Sequence, residues 1–79
     1  MRIIENQWVE LRERPSEPAS KTTFVKLSDI ETISFIEDGE GQIEIHASTK
    51  NTTYLLSRVD TLSEAQNQSK SFIENHLCK

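Results

Sequence analysis

The densest run of chemistry-bearing side chains is FIEDGEGQIEIH, Phe35–His46, which sets Glu37, Asp38, Glu40 and Glu44 close to His46. Carboxylates at this density suggest a calcium loop. An EF-hand loop, however, needs oxygen ligands at alternate positions, a central Gly and a Glu at position twelve. Glu37, Asp38 and Glu40, around Gly39 and Gly41, do not keep that spacing. Apolar strands joined by a Gly-containing segment form a β-hairpin pattern, so these acids are read as a charged turn. His46, His76 and Cys78 complete the soft metal ligands. Zinc sites use closely spaced pairs such as C-x2-C or H-x3-H. His76 and Cys78, two apart at a helix end, cannot chelate well in helical geometry, and His76 is expected at a stripe edge or as a C-terminal cap. Neither a metal nor a cofactor is expected.

Covalent and acid–base catalysis find no better footing. The one cysteine sits next to the C-terminus with no pocket implied around it. No G-x-S-x-G surrounds a serine, and two glycines supply neither a phosphate loop nor a dinucleotide fingerprint. Glu44 could neighbour Glu31 or Glu37 across strands, but on an exposed face, without the burial that acid–base pairs depend on. The chain is therefore expected not to be an enzyme. A basic cluster, Arg12, Arg14 and Lys21, lies near Trp8, and an Arg/aromatic combination can anchor an interface or stack on bases. Glu10, Glu13 and Glu17 are interspersed with it and nearly cancel its charge.

The elements that must position these residues follow from periodicity. QWVEL (Gln7–Leu11) reads as a short strand, although Ile4, Trp8 and Leu11 also fit one helical face. RERPSEPASK (Arg12–Lys21) holds both prolines and reads as a loop. TTFVKL (Thr22–Leu27) is β-branched and alternating, a strand, followed by a tight turn at Leu27–Ile30. ETISFIE (Glu31–Glu37) places Ile33 and Phe35 on one face and Ile36 on the other. GQIEIHA (Gly41–Ala47) sends Ile43, Ile45 and Ala47 one way and Gln42, Glu44 and His46 the other. STKN turns the chain into TTYLLS (Thr52–Ser57), where Leu55 and Leu56 stand side by side.

The last element is a helix, Leu62–Leu77. TLSE (Thr61–Glu64) fits a capping box, with Glu64 reaching back, and Leu62, Ala65, Ser69, Phe72, Ile73, His76 and Leu77 share one stripe. The order predicts an α+β fold: a curved antiparallel sheet of four to five strands with the C-terminal helix packed on one face. Ile33, Phe35, Ile43 and Ile45 form the expected inward set. Ile36, one of the two adjacent leucines and Trp8 are left over on the second face, so the sheet either curls over them or meets another chain.

The layout from FVKLSDIETISF (Phe24–Phe35) through GQIEIHAS and TTYLLS to TLSEAQNQSKSFIENHL resembles two bacterial domain types. One is the LytTR DNA-binding domain, where a strand entered through a similar L-S-D-I turn leads to a hairpin and a terminal helix. The other is the pleckstrin-homology-like group, five to seven strands capped by a C-terminal helix. The likeness covers most of the chain and rests on pattern rather than on distinctive residues. For the first family it implies DNA contacts at Lys50, Asn51 and Arg58, in a region that is otherwise acidic here. The chain is assigned to neither.

Composition bounds the rest. Seventy-nine residues make a single domain, 1–79, and 34% apolar content built on eight Ile and six Leu gives a thin core of the kind another chain often completes. The net charge of −4 is uneven: residues 28–60 hold two Lys/Arg against seven Asp/Glu, which disfavours phosphate backbones. A lone Cys78 and the lack of a signal-peptide or membrane-length apolar run point to a cytoplasmic, reducing address. The expected function is a small non-catalytic protein-interaction module, a homodimer or the small subunit of a complex, binding through Trp8, Ile36, Leu55, Arg12 and Arg14, either by burial of the second face or by strand pairing at an exposed edge. The alternative is a nucleic-acid-associated regulator using the Arg12–Lys21 loop and Lys50.

Overall fold

A computed structural model describes residues 2–13 and 22–78. Within them, six strands form one open antiparallel sheet: β1 (Arg2–Ile4), β2 (Trp8–Glu13), β3 (Thr22–Lys26), β4 (Thr32–Glu37), β5 (Ile43–Ser48) and β6 (Thr53–Val59). The C-terminal helix α1 (Leu62–Phe72) continues into a wider π-type turn, Ile73–Leu77. The α+β class and the helix on one face are as the sequence predicted. The early segment is two strands rather than one, folded back by a turn in which Glu5 and Asn6 both take positive φ. Two positive φ values in succession define the tight hairpin turn whose twist suits paired strands.

Strand order across the sheet is β1-β2-β6-β5-β4, with β3 on the other side of β2. One edge of β2 is therefore shared. Trp8 to Glu10 pair with β1, and among the described residues Arg12 and Glu13 reach β6, opposite Leu55 and Tyr54. Arg12 and Glu13 thus belong to a strand and not to the predicted loop, because cross-strand pairing carries β2 up to the approach of Pro15. Arg14, the two prolines and Lys21 lie outside the described residues.

The adjacent leucines are reconciled by a bulge. From the Ser48–Thr53 end the register runs His46↔Leu55, then resumes as Ile45↔Ser57, skipping Leu56. Leu55 faces the second side while Leu56 packs into the core beside the helix. A one-residue offset of this kind turns later side chains to the opposite face. It sets Arg58, rather than Ser57, opposite Glu44.

The core lies between the sheet and α1. Ile45, Val59 and Ala65 form one cluster, and Val9, Leu11, Val25, Leu27, Ala47 and Phe72 form the other. Complete burial of Val9 and Ile45 contributes roughly 1.5–3 kcal/mol each. Thr61 Oγ1 caps the helix by accepting from Glu64 N–H at 3.2 Å. The Glu64 carboxylate receives the Thr61 hydroxyl at 3.3 Å rather than reaching the backbone. Ala65, Ser69 and Phe72 are the buried stripe, whereas Leu62 and Ile73, expected on it, are exposed at its borders. The helix covers β5 and β6 but stops short of β4, which leaves Phe35 of the predicted inward set exposed at the rim.

Candidate interaction surfaces

The acidic segment is a hairpin turn, organised by one of its own carboxylates. Asp38 Oδ1 accepts from the N–H groups of Glu40 at 2.8 Å and Gln42 at 3.1 Å, and Gly41 takes φ +83°. That φ favours glycine, since a Cβ there is strained. Glu37 and Glu40 remain exposed on the turn.

Glu44 and His46 project from the face away from α1, as alternation predicts, yet they are not on a solvent-exposed surface: Glu44 is 4% and His46 3% exposed. The correction has a chemical cause. Arg58 Nε and Nη2 donate to Glu44 Oε2 at 3.0 and 2.9 Å, and His46 Nε2 meets Oε1 at 3.0 Å. A buried carboxylate requires such compensation, and charge-assisted bonds supply it. The strand neighbours of Glu44 are Ile36 and Arg58, so neither Glu31 nor Glu37 stands opposite it. Arg58 is thereby held by Glu44 instead of standing free among the family-implied DNA contacts. The arrangement holds Glu44 and His46 away from solvent, while the Arg58 side chain stays half exposed at the surface.

The sequence-predicted contact residues do not form one patch. Arg12 and Leu55 are cross-strand partners in the middle of the sheet, and Leu55 is half-buried between strands. Ile36 is exposed on β4, with β5 and β6 between it and β2. Trp8 stands at the start of β2, and Arg14 lies outside the described residues.

Trp8 has a partner that sequence reading missed. Val9, Leu11 and Val25 point into the core, so Trp8, Glu10, Phe24 and Lys26 share the outer face of the β2–β3 ribbon. Trp8 is 39% and Phe24 45% exposed, and both line a groove of about 670 Å³. Its other walls include Lys26, Asp29 and Glu31, with Lys50 and Asn51 from the β5–β6 turn. Thr49 holds that turn by accepting from Asn51 and Thr52 N–H at 3.3 Å each. Among the described residues the two lysines and two carboxylates of the groove form no ion pair. The signal in the sequence was the alternation of TTFVK, which puts Phe24 opposite in phase to Val25.

A second groove, of about 320 Å³, runs between β4 and the helix and is lined by Phe35, Gln66, Ser69, Lys70, Ile73 and Glu74. Ser69 Oγ in its wall is buried without a hydrogen-bond partner. Among the described residues, no three His, Cys, Asp or Glu side chains gather to hold a metal, and no helix is long and apolar enough to cross a membrane. Cys78 is exposed. No family model, curated protein or solved structure matches this chain, so the two layouts it resembles lend it no function.

Proposed function

We propose that the protein is a small cytoplasmic, non-catalytic interaction module that works as a homodimer, or as the small subunit of a complex, through the groove floored by Trp8 and Phe24. The observation that carries this reading is the exposure of two large aromatic rings on one face beside unpaired charges of both signs. Tryptophan is the side chain most enriched among interface anchors. A two-fold contact brings the same patch to both partners and must be self-complementary. Lys26 and Lys50 against Asp29 and Glu31 meet that condition.

The test is solution mass by light scattering on a size-exclusion column, at several concentrations and two salt levels. A dimer that persists on dilution is expected. Trp8→Ala should weaken it about thirtyfold, the equivalent of roughly 2 kcal/mol at an anchor, with the thermal midpoint little changed. A concentration-independent monomer would sink self-association. The nucleic-acid reading keeps one supporting observation, since Lys26, Lys50 and Asn51 share the groove with stacking-competent Trp8 and Phe24. Single-strand binding that falls steeply with added salt would favour it, and no binding at low salt would end it.

A further inference from the structure

We propose that the outer edge of β4 receives an extended segment of another protein, one that alternates apolar residues and carries Lys or Arg at its N-terminal end. Asp38 N–H donates to Gln42 O at 2.8 Å, continuing the register that runs from Thr32↔Ser48 to Glu37↔Ile43, so the even-numbered residues of β4 and β5 bond each other. Backbone groups alternate direction along an antiparallel strand. Ile33, Phe35 and Glu37 therefore present their N–H and C=O outward, where no described strand pairs with them. An open edge of this kind is a template for an added strand.

Side chains beside the edge define what the segment carries. Phe35 and Ile73 make the adjoining groove apolar, and Ser69 Oγ in its wall is buried without a partner. Alternate residues of an added strand fall on this side, as the period of two requires. At the far end of β4 stand Glu37, Asp38 and Glu40, with Asp60 close enough to accept from Gln42 Nε2 at 3.3 Å. Antiparallel pairing, the kind found among all the described strands, sets the N-terminal end of the segment against these acids. A second copy of β4 fits poorly, because its own Glu31 would face that end and Thr32–Glu37 contains no basic residue. The acidic turn thus acts as a selector for a cationic strand end.

Fluorescence anisotropy of labelled peptides with the full chain tests this. The probes are an acetylated Lys-Arg-Thr-Val-Thr-Val-Thr-Val peptide, a counterpart beginning Glu-Asp, and one with Lys-Arg moved to the C-terminal end. The first should bind at least tenfold more tightly than either of the others. Phe35→Pro, which removes an outward N–H and no ladder bond, should cost at least tenfold. Glu37→Gln with Glu40→Gln should erase the preference between basic and acidic probes, and Trp8→Ala should leave binding unchanged. Equal binding of all three peptides, no binding, or full binding by a folded Phe35→Pro chain would overturn the proposal. So would a dimer that Phe35→Pro alone dissociates in a chain that ignores the peptides. If Phe35→Pro does not fold, the double Gln variant decides.

Discussion

A hydroxyl and a carboxylate illustrate what single residues contribute here. Ser69 lies on the buried stripe of α1 with its Oγ unpartnered, and a buried unsatisfied polar group costs about 1–3 kcal/mol. Ser69→Ala removes that cost and gains helix propensity, so it should raise unfolding free energy by about 1 kcal/mol and the melting temperature by roughly 4–8 °C. A fall in melting temperature would mean that the hydroxyl is bonded in solution. Glu44 shows the limit of reading residues from sequence. Its face was legible, because a strand alternates with a period of two. Its burial was not, because Arg58 reaches it only through the offset at Leu56.

Turns and caps are where local sequence and local structure agree best. The N-cap at Thr61 and the acidic hairpin turn were legible, since each depends on a side chain within a few residues of the backbone it bonds. The turn at Leu27 was legible as a turn, although a backbone bond, Ile30 N–H to Leu27 O, closes it. β1 was not, because three residues carry too little periodicity to separate strand from helix, and Ile4, Trp8 and Leu11 imitate a helical face. The turn between β1 and β2 holds Glu5 at φ 50°, a left-handed conformation that costs most side chains about 1–2 kcal/mol and that Asn adopts readily. Glu5→Asn should therefore raise the urea midpoint by an amount worth about 1 kcal/mol, and Glu5→Val should lower it. The reverse order would show that the turn is not held in this conformation in solution.

For the molecule as a whole, the α+β class followed from five alternating runs and one amphipathic run. The placement of the helix on one face followed from its single stripe. An exposed edge was expected, but its identity and the grooves did not follow, because they depend on which strands end up outermost. Trp8 was legible as an unsatisfied apolar residue, but its neighbour Phe24 and the charges around both come from three separate segments of chain. The two surfaces proposed above lie at different parts of one sheet and share no residue, so a partner at β4 and a second copy at the Trp8 groove would not compete.

The shared edge of β2 bears on how the chain reaches its folded state. β4, β5, β6 and α1 are consecutive and pair with near neighbours, so they form through short loop closures. Among the described residues, the N-terminal ribbon pairs with them at Arg12 and Glu13, against Leu55 and Tyr54. Packing of Val9, Leu11 and Val25 with Ala47 and Phe72 adds to that attachment, as does the 3.0 Å hydrogen bond between His76 Nδ1 and Asn6 Oδ1. In native-state hydrogen exchange the amides of β1–β3 should open together, at a free energy below that of β5 and β6. Equal protection of both groups would mean that the narrow seam does not divide the molecule. Otherwise the ribbon docks last, onto a C-terminal unit already formed.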